Sequence, residues 1–264
     1  MCYEPDARPP LPPIRGSALD ARALTLTSAD GTEVAACAAR AANPSGAGIV
    51  ICPDVRGAHP FYEELTLRFA EAGVDAVAFD YFGRTTRDRE RGEGFEYAPH
   101  VEQTRYDHLN ADVAAAATFL RSSEGGAPAR VYTVGFCFGG RISFLQAARP
   151  ELDLAGVIGF YGIPVGSGRA GLPAPVDLVD QFRCPVLALF GGADQAIPPE
   201  AREAFAHALD AAGVSHRVVV YPDAPHSFFD RKADAFADAS TDAWRQVLDF
   251  VGAPSGTADG AEPG

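Results

Sequence analysis

Cysteine, basic charge and long apolar runs are all scarce in this chain, and each scarcity removes a class of protein. Five of the 264 residues are cysteine, at positions 2, 37, 52, 137 and 184. An odd number, widely spaced and without C-x-x-C, makes no disulfide scaffold, so free thiols are expected. Lys and Arg total 22 against 35 Asp and Glu, for a formal charge of -13. Nucleic-acid and anionic-membrane surfaces need concentrated cations, so neither partner is expected. No apolar stretch approaches bilayer-spanning length, and the opening "MCYEPDARPPLPPIRG" has neither a basic n-region nor an apolar h-region. A cytoplasmic location is the expectation. None of the six histidines (59, 100, 108, 207, 216, 226) has H-E-x-x-H spacing, and G-x-G-x-x-G and a Lys-Ser/Thr phosphate loop are missing. No metal and no cofactor are expected.

What remains is a chain rich enough in apolar residues, at 47%, to bury a substantial core in one large α/β domain. Residues 1–22 read as a proline-rich extension, 23–251 as the domain and 252–264 as a disordered tail. "ALTLTSADGTEVAACAA" gives two short strands joined by Asp30-Gly31, a hairpin signal. The apolar runs "AGIVICPD", "VDAVAFD", "ARVYTVGF", "LAGVIGFYG", "CPVLALFGG" and "HRVVVYP" then alternate with segments of helical spacing such as "FYEELTLRFAEAG" and "YDHLNADVAAAATFLRS". The interval 81–105 is charged and shows no periodicity. This alternation predicts a mostly parallel central sheet covered by helices on both faces and begun by a short antiparallel hairpin. Ligands of such sheets bind beyond the carboxyl ends of the strands.

Four strands end in residues that carry chemistry. They deliver Asp54, then Cys137 inside "GFCFGG", then Asp194 in "GGADQAIP", then His226 in "APHSFF". The order Cys, Asp, His is that of hydrolases whose nucleophile sits on a tight strand-to-helix elbow, which predicts an α/β-hydrolase fold. Gly135 and Gly139, two residues to either side of Cys137, provide the room such an elbow needs. His226 would take the thiol proton, Asp194 would orient the imidazole, and the backbone N–H groups of Phe138 and Val55 would hold an oxyanion. Each residue also has a plainer reading: a packed or redox-sensitive thiol, a loop-capping aspartate, a hydrogen-bonded loop histidine. Position at equivalent strand ends favours the catalytic one.

With "GFCFGG" at 135–140, "GGADQAIP" at 191–198 and "PHSFF" at 225–229, the chain resembles the dienelactone hydrolase (carboxymethylenebutenolidase) family from about Ala23 to Val251. The resemblance implies Cys137, Asp194 and His226 as a triad and cleavage of a small activated ester or enol lactone through a thioester. It also implies a thiol-modulating role for Asp54, where the family carries a glutamate, or else a cap of its own loop. The family clamps a substrate carboxylate with two arginines, which implies Arg105 and Arg231 here, the latter one position farther from the histidine than the family pattern. Arg56, Arg84 and Arg87 also fall near strand ends, and Phe136, Tyr161 and Phe228 offer apolar walls to a substrate. The expected partner is a small ester or lactone, carboxylate-bearing if the clamp operates, and the expected state is a monomer. A general small-ester or thioesterase-like hydrolase, and a non-catalytic ligand-binding or redox-sensing protein of the same fold, are the alternatives.

Overall fold

The run Ala47–Cys52 is buried at every position, as an apolar strand must be when covered on both faces, and it forms β3 near the middle of an eight-stranded sheet. The computed structural model describes residues 7–11, 18–86, 91, 94–230 and 235–253. Chain order is β1 (Ala18–Thr27), β2 (Glu33–Ala41), β3, α1 (Pro60–Glu71), β4 (Val74–Phe79), α2 (Tyr97–Gln103), α3 (Tyr106–Arg121) and β5 (Arg130–Phe136). It continues through α4 (Phe138–Gln146), β6 (Gly156–Phe160), β7 (Val186–Gly191), α5 (Pro199–Ala211), β8 (His216–Tyr221) and α6 (Ala237–Val251). The sheet order is β1-β2-β4-β3-β5-β6-β7-β8. Strands β3 to β8 pair in parallel, while β1 pairs with β2 and β2 with β4 antiparallel. This is the mostly parallel, helix-covered sheet that strand–helix alternation predicted, in the α/β-hydrolase arrangement predicted from the order Cys, Asp, His.

The period-two geometry of a strand sends successive side chains to opposite faces. Ile49 and Ile51 accordingly join a core with Phe61, Leu65 and Phe69 of α1 and Val247 and Val251 of α6. Val50 and Cys52 join a second core with Leu109, Val113, Ala116 and Leu120 of α3. Fully burying each of these large side chains contributes about 1.5–3 kcal/mol, and helices on both faces are what the alternate residues require.

The hairpin turns at Asp30-Gly31, with Gly31 at φ 83° and Asp30 Oδ1 accepting from Thr32 N at 3.0 Å. Strand β1 begins at Ala18, ahead of the boundary expected at residue 23. Within the aperiodic interval 81–105 lie a short 3₁₀ turn at Tyr81–Arg84 and helix α2. Helix α2 buries only Val101, so it carries no apolar periodicity to read.

Candidate active site

Cys137 stands between β5 and α4 with φ 55° and ψ -111°, outside the conformations an L-residue prefers. Strain of this kind costs on the order of 1–3 kcal/mol and has to be imposed by its surroundings. Here the Cys137 N–H donates to the Phe160 carbonyl of β6 at 3.0 Å, and Arg141 N returns to the Cys137 carbonyl at 3.2 Å. A Cβ on Gly135 would run into the Gly139 carbonyl group, and one on Gly139 into the carbonyl oxygens of Cys52 and Pro53. Only glycine lets β5, α4 and the end of β3 approach so closely. The thiol is half-buried at the N-cap of α4, beside the positive end of the helix.

Two neighbouring loops bring the acid and the histidine together. Gly192 N donates to Tyr221 O at 2.7 Å and Ala193 N to Ala224 O at 3.0 Å, which binds the loop after β7 to the loop after β8. The buried guanidinium of Arg202 adds bonds to Gly191 O at 2.8 Å and Ile197 O at 2.9 Å. Asp194 Oδ1 accepts from Ala196 N at 2.9 Å, leaving Oδ2 to meet His226 Nδ1 at 2.7 Å. The Asp194 side chain is 1% exposed and that of His226 21%. A carboxylate only accepts, so Nδ1 carries the proton and the Nε2 lone pair is left for an acidic partner. The ring of Tyr161, at φ 40° just past β6, packs 5.0 Å from the imidazole.

The loop after β3 supplies the opposite wall. Asp54 N donates to Tyr62 Oη at 3.0 Å, Arg56 N to Asp54 Oδ1 at 2.8 Å, and Gly57 N to Asp54 O at 3.1 Å. Tyr81 Oη donates to the carbonyls of Pro53, at 3.1 Å, and Asp54. Among the described residues the Val55 and Phe138 N–H groups have no such partner. Asp54 does cap its own loop, as one sequence reading had it.

Arg56 ties this loop to the segment after the histidine. Its guanidinium reaches Asp54 Oδ1 from Nε at 3.3 Å and Oδ2 from a terminal nitrogen at 3.0 Å, and the same nitrogen reaches Asp230 Oδ2 at 3.4 Å. The side chains are 6% exposed for Arg56 and 2% for each aspartate. The Tyr161 hydroxyl is buried with no hydrogen-bond partner among the described residues. Its acidity is pushed far down by burial first and then by the charges of Asp230, Asp54 and Cys137.

The other expected site residues lie elsewhere or deeper. Arg105 precedes α3 with its side chain 66% exposed, paired with Asp107 at 3.1 Å, and is not brought to this cluster. Arg84 is spent on Asp30 and Asp112. Arg87 and Arg231 lie outside the described residues. Phe136 and Phe228 are buried in the core rather than lining an open wall: Phe136 stacks on Phe160 at 4.8 Å, and Phe228 packs 5.7 Å from Tyr161. Sequence reasoning missed Asp230 and Tyr62, and it missed Arg141. The buried guanidinium of Arg141 donates to the carbonyls of Ile163, Val165, Gly166, Leu172 and Pro173 and so shapes the loop after β6. An arginine among the apolar residues of "GGRISFLQ" was the available signal. Among the described residues no group of three or more His, Cys, Asp or Glu could hold a metal ion, and no helix is long and apolar enough to cross a membrane.

The chain is similar to known proteins. The dienelactone hydrolase family profile matches residues 34–255. A candidate carboxymethylenebutenolidase of Salmonella typhimurium is 31% identical over 239 residues, covering 86% of this chain and 85% of the relative. A candidate 2-oxo-3-(5-oxofuran-2-ylidene)propanoate lactonase of a Bradyrhizobium species is 26% identical over 207 residues, covering 77% of this chain and 82% of the relative. Among solved structures, that of a candidate dienelactone hydrolase from Klebsiella pneumoniae has a TM-score of 0.74 at 29% identity and covers 88% of this chain and 99% of its own.

Proposed function

The chain belongs to the dienelactone hydrolase family, and from that premise we propose that its reaction runs through a thioester on Cys137, assisted by His226 and Asp194. Membership makes it a carboxylic ester or lactone hydrolase acting on small substrates. The observation that carries the finer reading is the 2.7 Å contact between His226 Nδ1 and buried Asp194 Oδ2, on the strand ends that also present the strained Cys137.

His226 Nε2 takes the thiol proton, and the thiolate attacks the ester carbonyl carbon while the Phe138 and Val55 N–H groups receive the developing oxyanion. Collapse breaks the carbon–oxygen bond, and the departed group takes its proton from the His226 imidazolium, which returns the ring to its neutral form. An enolate, the leaving group of an enol lactone, needs little protonation, which suits a thiolate nucleophile better than an amide would. Water then attacks the thioester as His226 accepts its proton, the carbon–sulfur bond breaks, and the carboxylic product leaves with the thiolate restored. Asp54 shapes this site through its loop and its hold on Arg56. The lactone named for the Bradyrhizobium relative supports a cyclic ester as substrate class.

The test is intact-protein mass spectrometry after brief mixing with a panel of activated esters and enol lactones, beside Cys137→Ala. A transient adduct with turnover, both lost in the variant, is expected. Undiminished turnover by folded Cys137→Ala would overturn the assignment.

A further inference from the structure

Resting on Cys137 as the nucleophile, we propose that Tyr161 is a further catalytic residue, whose phenol hydroxyl donates a hydrogen bond to the Cys137 sulfur once the thiolate forms. The sheet register brings the two residues together. Phe136 of β5 pairs with Phe160 of β6, and the Cys137 N–H donates to the Phe160 carbonyl at 3.0 Å, so Cys137 and Tyr161 leave adjacent strands side by side. Strands paired in this way run about 4.8 Å apart. Both side chains pack against the same one of the two cores, the one that holds Phe136 and Phe228. The Tyr161 ring also lies 5.0 Å from the imidazole of His226, which takes the thiol proton.

Three buried tyrosines stand around this corner, and their hydroxyls are used differently. Tyr62 Oη accepts from Asp54 N at 3.0 Å, and Tyr81 Oη donates to the carbonyls of Pro53 and Asp54. The Tyr161 hydroxyl, equally buried, has no hydrogen-bond partner among the described residues. An orphaned buried hydroxyl costs stability, and phenylalanine would fill the same space without that cost. The backbone adds to it: Tyr161 has φ 40°, which bulky residues rarely adopt, directly beside Cys137 at φ 55°. Two unfavourable features of one residue, next to nucleophile and base, are explained by a state in which the hydroxyl finds its acceptor. Ionised sulfur is that acceptor, since a thiol accepts only weakly and a charged partner strengthens the bond. Burial, and after it the charges of Asp230 and Asp54, keep the phenol protonated. It therefore keeps its own proton while His226 takes that of the thiol. The same bond stabilises the thiolate released when water breaks the carbon–sulfur bond.

Tyr161→Phe removes the hydroxyl and nothing else. The rate of Cys137 alkylation by iodoacetamide, read by peptide mapping across a pH series, gives the midpoint for thiolate formation without any ester turnover. That midpoint is expected to rise by about one pH unit in the variant, a tenfold loss of thiolate below it. The charged and titratable side chains of the surrounding loops, His226 with Asp194, Asp54 with Arg56, Asp230 and Tyr81, are the same in both proteins, so the shift belongs to the hydroxyl. Tm is expected to rise by roughly 2–4 °C, because an unpaired buried hydroxyl is gone. An unmoved midpoint would overturn the proposal. A fall in Tm or a variant that does not fold would do the same, by showing that the hydroxyl already has a structural partner in the resting protein. Cys137→Ala separates the two readings: ester turnover that survives it sinks the thioester assignment, while Cys137-dependent turnover with an unmoved midpoint in Tyr161→Phe sinks only the role of the phenol.

Discussion

Replacing Gly135 by alanine adds one methyl group, yet it should damage both the fold and the chemistry. The new Cβ would lie 2.7 Å from Gly140 N and closer still to the carbonyl group of Gly139, all main-chain atoms of the turn that holds Cys137. Backbone cannot rotate away as a flexible side chain can. Restoring carbon contacts of about 3.5 Å requires the first turn of α4 to retreat by about 1 Å. Such overpacking costs on the order of 3 kcal/mol, which for a domain of this size lowers Tm by roughly 6–12 °C. The same retreat carries Cys137 and the Phe138 N–H away from His226 and Val55, and a displacement of about 1 Å is worth roughly a hundredfold in rate. Gly94→Ala is the control, since among the described residues nothing lies within 4 Å of its Cβ position. Differential scanning calorimetry and ester kinetics on both variants should show a large loss for Gly135→Ala and almost none for Gly94→Ala. Wild-type Tm and kcat/KM in Gly135→Ala would refute the steric account of the elbow.

Two further outcomes follow from burial. Cys37 and Cys184 are pushed up to about 12 by burial, and Cys52 is raised by the same cause. Below pH 8 their thiolate fraction stays under about one in ten thousand, so iodoacetamide followed by peptide mapping should find Cys137 modified while these three remain intact; modification of Cys52 ahead of Cys137 would contradict this. Arg141→Met removes the donor shared by five loop carbonyls and should cost about 3 kcal/mol or more, with new protease sensitivity between residues 163 and 173; an unchanged Tm and digest would show the loop to be held by other means.

The parts of this molecule that were legible in its sequence are those fixed by neighbours along the chain. Period-two and period-3.6 patterns gave the strands and the long helices, and Asp30-Gly31 gave the hairpin, because each reflects a local rule about where side chains point or which dihedrals a residue accepts. Cys137, Asp194 and His226 were legible for a related reason: a parallel sheet gathers the carboxyl ends of its strands on one edge, so residues far apart in number are adjacent once the strands are recognised. The 2.7 Å contact of Asp194 with His226 follows from that placement. The charge in the site followed no such rule. Arg56 and Asp230 are separated by 174 positions, and no periodicity says which carboxylate a given guanidinium will find. Arg105 looked available and is spent on Asp107 two residues away, while Asp230 stood unremarked between the histidine of the proposed triad and an arginine expected to bind substrate. A strand end tells which residues can meet a substrate. Whether the site then attracts or repels a carboxylate depends on how many of its charges have already been paired with one another, and that count exists only in three dimensions.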